Sequence, residues 1–447
     1  MLGFPVEAFG LSWWFDTSRI DAEMAVHLRD LWSRTDPVGA GPLAADLVDP
    51  AVVGSATVDQ PLVDPDPGVG ERLPFVITRS LGGDDLPLDR VVVPEAPDAI
   101  PYAVSRAFTL AGVRRRTGEA LMLHAVGVAG GTGDVVALVG KSGTGKTTAA
   151  THLGRRLGYV TDETVVIEDD FSVSPYPKPL SIITDPQQSH AKIEHSPNEL
   201  DLLVPPEGLR LGAVVVLVRD PDEADPRIEA IGLVEAALAV LPETSALPKL
   251  AAPLRRLAEA LIRNGGPYRL AYSEIDACLD VIAELAEHDP RRDGLAPEWT
   301  HIPGDPDVED LVRPTADPSS DETQVEVRAD LEWASLVRRA PFSDAISSQG
   351  DVLLLRGHRP IALGGLSAHV WLLASEPLTL GQLHTLAVES IGPHPQSEQL
   401  VIEAAQALLQ ESLLEIERPA GVDAPAQDDV RVRVDVPAGV DDETPDR

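Results

Sequence analysis

A glycine-rich motif limits the possible fold of this chain more than any other feature. Residues 140–147 have the sequence GKSGTGKT and match the P-loop pattern G-x-x-x-x-G-K-[ST]. An apolar run typical of a strand precedes the motif at 135–139, and a helix is predicted after it at 147–157. Glycines let successive backbone N–H groups turn toward a phosphate chain, and the helix adds its positive N-terminal dipole. The motif therefore predicts an α/β fold that binds a nucleotide.

The motif also indicates which side chains meet the nucleotide. Lys146 is expected to neutralise the β and γ oxygens of ATP, and the Thr147 hydroxyl is expected to bind Mg²⁺. No LSGGQ-like segment and no NKxD motif occur in the sequence, which disfavours ABC-type and guanine-specific NTPases. The residues predicted to bind the nucleotide are Gly140, Lys141, Ser142, Gly143, Thr144, Gly145, Lys146, Thr147 and Thr148.

Two acidic residues, Asp162 and Glu163, follow within YVTDETVVI, on a strand predicted at 159–167. Adjacent strand residues point to opposite faces of a sheet, so only one of them should face the phosphates unless the strand kinks. A carboxylate here could bind Mg²⁺, for which Asp162 is the candidate, or accept the proton of an attacking hydroxyl. The alternative is that both are solvated charges at the end of a strand.

A histidine lies upstream of the P-loop. His124, in LMLHAVGV, belongs to a strand predicted at 120–128 and precedes Lys146 by 146 − 124 = 22 residues. A histidine in such an apolar strand is either a hydrogen-bonded core residue or a residue of the site.

The charge of the chain excludes several classes of partner. Asp and Glu outnumber Lys and Arg by 72 to 36, which gives a formal net charge of −36. This balance argues against nucleic acid and against an anionic membrane surface as the main partner.

The single cysteine, Cys278, excludes an internal disulfide framework and a Cys-based zinc site. The N-terminus lacks the basic region of a secretory signal and no apolar run could span a bilayer, so the sequence predicts a cytoplasmic protein.

The length of 447 residues predicts about three domains, and stretches rich in proline indicate where they separate. Residues 289–324 are rich in Pro, Asp and Ser and lack apolar periodicity, which predicts a flexible linker. The predicted segments are an N-terminal α+β segment of unassigned role at 1–98, an α/β P-loop domain at 99–288, the linker at 289–324, a small α+β module at 325–417 and an acidic disordered tail at 418–447.

Hydrophobic spacing predicts individual elements within these segments. The N-terminal segment has a helix at 19–32 and short strands at 75–78 and 91–93. The P-loop domain has a helix at 103–115, strands at 211–218 and 268–272, and a helix at 273–287. The module has strands at 352–356, 360–363 and 413–416 and helices at 367–374, 379–390 and 397–410.

The order of the motifs resembles the catalytic domain of HPr kinase/phosphorylase and its broader relatives. LHAVGV, a glycine turn, VVALVGKSGTGKTT and YVTDETVVI follow the order of that family's histidine, P-loop and DD pair. The resemblance implies that His124 is the active-site histidine, and that Asp162 and Glu163 match the DD pair that includes the proton acceptor. No LEIRGLGIINV-type signature follows, so the resemblance does not imply HPr as the substrate. Lys178, in PYPKPLSI, lies in a segment similar to one in divergent relatives and either reaches a phosphate or is an exposed loop lysine.

The segment 325–417 is similar to the PqqD-like fold, a small winged-helix-type domain that recognises leader peptides of ribosomally made, modified peptides. The likeness lies in the strand pair DVLLLRGHRPIAL, the Leu-rich helices and the position of Trp371. It implies that the module binds an extended peptide along an edge strand, and 352–356 is the strand expected to have an open edge.

Together these features predict an ATP-dependent, Mg²⁺-using phosphotransferase that modifies a Ser or Thr hydroxyl on a peptide or protein. His124, Asp162 and Glu163 are the candidate catalytic residues, and Thr147 and Asp162 are the candidate metal ligands. A ribosomal precursor peptide is the candidate substrate, and a modifying enzyme is a candidate partner. Two alternatives stay open: an ATP-responsive peptide-binding or assembly module without transfer, and a small-molecule kinase. The sequence predicts no oligomeric state.

Overall fold

The computed structural model contains the sheets and helices of a mixed α/β protein. The residues that it describes are 3–18, 20–35, 75–80, 89–92, 96–141, 143–183, 192–223, 225–287, 295–305, 308 and 331–417. The predicted tail at 418–447 and Ser142 lie outside the described residues. The chain divides into two compact units: residues 1–325 with 341–369, and residues 326–340 with 370–447.

The first residues form an antiparallel sheet and a helix. In the second strand Trp13 and Phe15 are fully buried, because alternate side chains of a strand share one face. The helix begins after Asp21, whose side chain accepts a hydrogen bond of 2.8 Å from the N–H of Met24. The elements are β1 (Gly3–Ala8), β2 (Leu11–Asp16), α1 (Ala22–Leu31), β3 (Phe75–Ser80) and β4 (Asp89–Val92), in the sheet order β1-β2-β3-β4.

An aromatic cluster joins this segment to the next helix, α2 (Ile100–Arg116). The ring of Phe108 on α2 lies 5.0 Å from Trp13, 5.0 Å from Phe15 and 5.1 Å from Trp32, each time edge to face. Such a pair contributes about 0.5–1.5 kcal/mol beyond the burial of its area. The described part of the predicted segment 1–98 thus shares a hydrophobic core with a helix of the predicted P-loop domain.

Three sheets carry the P-loop region. The elements are β5 (Leu121–Leu123), β6 (Ala125–Ala129), β7 (Asp134–Val139), α3 (Lys146–Gly154), β8 (Gly158–Thr161), β9 (Val165–Ile167), β10 (Val173–Ser174), β11 (Leu180–Ile183), β12 (Lys192–His195), β13 (Arg210–Arg219), β14 (Arg227–Ala230), α4 (Leu233–Val240), β15 (Thr244–Ser245), α5 (Pro253–Leu261), β16 (Tyr268–Tyr272) and α6 (Leu279–Leu285). The sheet orders are β14-β16-β13-β7-β6-β8, β10-β9-β5-β15 and β11-β12. Strand β7 is internal and parallel to β13, so the P-loop leaves the carboxyl end of an internal strand.

Two strands expected to be continuous are broken, and the breaks lie side by side. The predicted strand 120–128 becomes β5 and β6 with His124 between them, and the predicted strand 159–167 becomes β8 and β9. In each case the first and second halves pair in different sheets. The Thr161 hydroxyl accepts hydrogen bonds from the N–H groups of Glu163 (3.1 Å) and Thr164 (3.3 Å), which shapes the second break. The chain therefore passes from one sheet to the other at both places.

The remaining elements form two further sheets. They are β17 (Trp299–Pro303), β18 (Leu336–Arg339), β19 (Asp344–Ser348), β20 (Asp351–Arg356), β21 (Arg359–Leu363), α7 (Gly365–Leu373), β22 (Leu378–Thr379), α8 (Leu380–Ile391), α9 (Ser397–Gln410) and β23 (Leu414–Ile416). The orders are β17-β19-β20-β21, within the first unit, and β22-β18-β23, within the second. Among the described residues, no helix has the length and apolar character needed to cross a membrane.

This region differs from the sequence prediction in three ways. The expected open edge at 352–356 is absent, because β20 pairs with β19 on one side and β21 on the other. The predicted linker contains strand β17, which pairs with β19. Residues 341–369 group with the first unit rather than with the rest of the predicted module, and the buried Asp344 carboxylate accepts a 2.8 Å hydrogen bond from Leu254 N at the start of α5. Strand pairing and this helix cap supply contacts that composition alone could not reveal.

Candidate active site

A cleft of about 900 Å³ in the first unit collects most of the residues that the sequence singled out. Its walls come from the P-loop and α3, from the turns at the two strand breaks, from one face of α2 and from the β11–β12 hairpin. The lining residues on the P-loop side are Gly143, Gly145, Lys146, Thr147, Thr148, Thr151 and His152. Those on the other walls are Tyr102, Ser105, Arg106, Thr109, Leu110, His124, Asp162, Glu163, Lys178, Ser181, Ile182 and Lys192.

The P-loop has the geometry that a phosphate chain requires. Gly143 and Gly145 have φ angles of +87° and +89°, which only glycine adopts without strain. A Cβ added at Gly143 would meet no atom within 4 Å, so the loop faces open space there. Helix α3 starts at Lys146 without a side-chain cap, so its first N–H groups are left for a ligand. These features fit a bound triphosphate.

The P-loop lysine has a partner that sequence reasoning missed. Lys146 is buried, donates a hydrogen bond to the carbonyl of Gly140 and lies 3.6 Å from the Glu243 carboxylate. The Glu243 carbonyl also accepts a 2.6 Å hydrogen bond from the backbone N–H of His124. Glu243 therefore links the phosphate-binding lysine to the strand break at His124. Nothing in the local sequence around Glu243 signals this contact.

Asp162 lies in a buried ionic cluster. Its Oδ1 lies 3.0 Å from the Lys178 ammonium and accepts a 3.1 Å hydrogen bond from the Tyr159 hydroxyl. Lys178 also donates to the carbonyl of Pro179 (2.9 Å) and feels the charge of Glu194. The structure thus excludes the alternative that Lys178 is an exposed loop lysine, and Asp162 is not a solvated charge at a strand end.

Glu163 has a different environment. The Nδ1 of His124 lies 3.3 Å from the Glu163 carboxylate and 2.9 Å from the Glu163 carbonyl, so one imidazole N–H faces both oxygens. The bend after β8 lets both Asp162 and Glu163 line the cleft, as a kinked strand allows. The structure therefore brings His124, Asp162, Glu163 and the P-loop together.

The two neighbouring carboxylates have opposite pKa shifts. Burial raises the pKa of Asp162, and the nearby Lys178 only partly offsets this effect. Burial also acts to raise the pKa of Glu163, but the hydrogen bond from His124 and the charge of Lys178 outweigh it and lower that pKa. The same hydrogen bond raises the pKa of His124. Lys178 loses solvation, yet the carboxylates of Asp162, Glu194 and Glu163 together raise its pKa. The Lys178 ammonium thus stays protonated beside the carboxyl groups of Asp162, Glu194 and Glu163.

The site has suitable oxygens for a magnesium ion held mainly by phosphates. The side chain of Thr147 faces the cleft, and both bonds of Asp162 use Oδ1, which leaves Oδ2. Within the described residues, no group of three or more His, Cys, Asp or Glu side chains is arranged to hold a metal. Mg²⁺ at nucleotide sites commonly uses one or two protein ligands together with phosphates and water, so Thr147 and Asp162 fit this role.

No protein-family model matches the chain, and no curated protein matches it. Among solved structures, the chain is similar to the HPr(Ser) kinase/phosphatase from Coxiella burnetii, with 13% sequence identity, 37% of this chain and 92% of that chain covered, and a TM-score of 0.20. This is a weak structural neighbour, so the function has to be inferred from the geometry of the cleft.

Proposed function

We propose that this chain is an ATP-dependent phosphotransferase that acts on a Ser or Thr hydroxyl of a peptide or protein. One observation carries the proposal: the carboxylate of Glu163 lies in the same cleft as the P-loop and is held by His124. A P-loop alone binds nucleotide. A carboxylate with a lowered pKa facing the same cleft adds a group that can accept a proton.

The residues of the cleft divide the work of transfer. The P-loop N–H groups and Lys146 hold the phosphates and neutralise charge that spreads over the γ oxygens. Glu163 accepts the proton of the acceptor hydroxyl. The oxygen of that hydroxyl bonds to the γ-phosphorus, and the bond between the γ-phosphorus and the β–γ bridging oxygen breaks. The electron pair of that bond leaves with ADP. Mg²⁺, bound by Thr147 and Asp162, would supply further charge neutralisation.

One residue positions the base, and two others hold the neighbouring acid. The imidazole of His124 fixes the Glu163 carboxylate from the side of the strand break, and its raised pKa keeps it protonated to higher pH than usual. Lys178 and Tyr159 hold Asp162 from behind. The carboxylate that accepts the proton is then Glu163, because Asp162 is the acid already engaged with a buried cation.

The test separates binding from transfer. Nucleotide affinity is measured by calorimetry with a non-hydrolysable ATP analogue, and transfer is measured from radiolabelled ATP to a library of Ser and Thr peptides. Lys146→Ala is expected to abolish both, since the phosphate site loses its main positive charge. Glu163→Gln is expected to keep affinity within about tenfold and to lower transfer by roughly 10²-fold or more.

A matched control is Glu207→Gln, which removes the same charge from an exposed position outside the cleft. Full transfer by Glu163→Gln would contradict the proposed base. Nucleotide-dependent peptide binding without any transfer in the wild-type protein would instead support an ATP-responsive binding module. Transfer only to small hydroxyl compounds would support a small-molecule kinase.

The peptide acceptor gives a role to the C-terminal part of the chain in this proposal. A precursor peptide of a modified natural product would dock by strand addition, as in PqqD-like domains, in a cytoplasmic pathway with a partner modifying enzyme. Since β20 is internal, the candidate edge is β21, the last strand in its sheet among the described strands. Amide-shift mapping of the full chain with a candidate peptide tests this, and shifts confined to helices α8 and α9 would contradict it.

A further inference from the structure

The cleft is lined by two cations that the proposed phosphate chemistry does not use. Arg106 belongs to α2 and Lys192 begins β12, and both line the cleft. Within the described parts of the chain, neither side chain forms an ion pair. By contrast, Lys146 is matched by Glu243 and Lys178 by Asp162. Arg106 and Lys192 are therefore the cations that the cleft offers to a ligand other than the phosphates held by Lys146.

The structure holds these two cations on one surface. The Lys192 ammonium lies 5.2 Å above the ring of Tyr102, a cation–π contact that holds the lysine against α2. Tyr102 precedes Arg106 by four residues, so the two side chains are neighbours on one helix face. We call the surface formed by Tyr102, Arg106 and Lys192 the cationic wall.

A buried carboxylate fixes the two elements of the cationic wall to each other. Glu194, two residues after Lys192, accepts a 3.1 Å hydrogen bond from the Ser105 hydroxyl of α2. Its other oxygen accepts a hydrogen bond from the Ser181 hydroxyl of β11. The helix that carries Arg106 and the hairpin that carries Lys192 are thus joined beneath the wall. A preorganised pair of cations loses less entropy on binding an anion than two free surface side chains do.

Charge makes the cationic wall unusual for this chain. The chain as a whole has a net charge of −36, so two cleft cations that form no ion pair with any described residue are not explained by its average surface. Basic side chains that line a cleft raise the local concentration of anions. The P-loop already binds the triphosphate, so the cationic wall is available to bind the other substrate.

We propose that the acceptor is an acidic segment, with the reacting hydroxyl flanked by carboxylates that bind Arg106 and Lys192. This inference rests on the proposed phosphotransfer and names the substrate class for the same cleft. Arg106 can bind a carboxylate through two parallel N–H bonds, whereas Lys192 acts as a point charge. The cationic wall selects the acceptor and takes no part in the transfer of the proton.

The experiment uses the full-length protein and three fluorescein-labelled peptides with one serine each. The flanking residues are Asp and Glu in the first peptide, Gln and Gly in the second, and Lys and Arg in the third. Binding is followed by anisotropy with a non-hydrolysable ATP analogue present, and transfer from ATP is measured separately. The acidic peptide is expected to bind at least about tenfold more tightly than the neutral one at low salt, and less selectively as salt rises.

Variants test whether the cationic wall causes this preference. Arg106→Ala with Lys192→Ala is expected to weaken binding of the acidic peptide about tenfold or more, with nucleotide affinity changed less than about threefold. Arg106→Glu with Lys192→Glu is expected to favour the basic peptide. Arg156→Ala is the matched control, because it removes an arginine charge from an exposed position outside the cleft.

The outcomes separate this inference from the proposed function. Equal binding of all three peptides, or no effect of the double variants, overturns the acidic acceptor even if transfer occurs. Acidic binding that depends on Arg106 and Lys192 without transfer supports the cationic wall and contradicts the phosphotransferase. Free L-serine serves as a further arm. If L-serine is phosphorylated in an Arg106- and Lys192-dependent way and the peptides do not bind, the acceptor is a small hydroxyl compound with a carboxylate, and the acidic segment is overturned.

Discussion

Asp162 and Glu163 are adjacent in the chain, yet the regions on either side of this acidic turn have opposite character. The Asp162 side is closed: its side chain is 3% exposed, and that of its partner Lys178 is 4% exposed. The Glu163 side is open, since Glu163 and its partner His124 are 35% and 39% exposed. The pKa of Asp162 is raised and the pKa of Glu163 is lowered. Environment rather than position in the sequence gives two neighbouring acids different chemistry.

The opposite shifts predict opposite responses to acid. Because the pKa of Asp162 is raised by burial, its contribution to the free energy of unfolding decreases as pH rises from the ordinary carboxyl range through the folded pKa. The lowered pKa of Glu163 contributes stability that is present above the ordinary range and is lost as pH falls through the folded pKa. The raised pKa of His124 contributes stability that is lost as pH rises through its folded value.

The largest effect is expected on the closed side. Lys178→Met removes the cation that faces Asp162 and Glu194, and should lower the free energy of unfolding by about 3–5 kcal/mol, the usual result of leaving buried charges unpaired. Chemical denaturation near pH 7 measures this change. Lys141→Ala is the control, because it removes an exposed lysine and should leave the unfolding midpoint almost unchanged.

A double variant sharpens the same point. Adding Asp162→Asn to Lys178→Met removes one of the unpaired acids and should restore part of the lost stability. If Lys178→Met unfolds at the same denaturant concentration as the wild type, the closed side does not depend on this ion pair.

An intermediate effect is expected on the open side. His124→Gln removes the hydrogen bond that helps to lower the pKa of Glu163, so the acid limb of the pH profile of transfer should move to higher pH. A hydrogen bond to a charged group contributes roughly 1.5–3 kcal/mol, which predicts a loss of transfer of about tenfold or more. Rates measured against pH, with nucleotide affinity as the reference, check this. An unchanged acid limb would show that His124 does not hold the base.

The smallest effect concerns the hydroxyl that completes the closed side. Tyr159→Phe removes hydrogen bonds to Asp162 (3.1 Å) and to the Lys178 carbonyl (3.2 Å) and should lower the free energy of unfolding by about 1 kcal/mol. Tyr268→Phe is a comparison, because its hydroxyl donates a hydrogen bond to the Asn264 carbonyl and Tyr268 does not line the cleft. The denaturation curves of both variants should show nucleotide stabilisation as in the wild type. Loss of that stabilisation in Tyr159→Phe alone would mean that the closed side also shapes the phosphate site.

Local patterns in the sequence were sufficient to predict the P-loop between β7 and α3, since the motif and its flanking elements are contiguous. The sequence predicts one strand at 120–128, because both halves are apolar. The sheet in which each half pairs depends on tertiary contacts, which local periodicity does not show. The pairing of His124 with Glu163 at the two breaks was therefore outside the reach of periodicity, although the family resemblance placed both in the site. The coarse α/β class is confirmed.

Tertiary contacts explain what the sequence missed in the cleft. Glu243 follows Lys146 by 243 − 146 = 97 residues, and long-range contacts such as the pairing of β15 with β5 bring them together. Lys178 carried a usable signal, because a lysine between prolines in PYPKPLSI has apolar neighbours that favour burial. Burial of a lysine requires a carboxylate partner, which Asp162 supplies.

Helix α2 separates two kinds of evolutionary change. Phe108 and Val104 on its inner face are packed in the aromatic core. Substitutions there would destabilise the fold and would be lost by selection. The outer face presents Tyr102 and Arg106 to the cleft, where exchange of a side chain leaves the core untouched. Substitutions at these exposed residues could thus change the acceptor that a related protein recognises, while its scaffold and its nucleotide chemistry stay the same. The helix provides a place where specificity can diverge without a loss of stability.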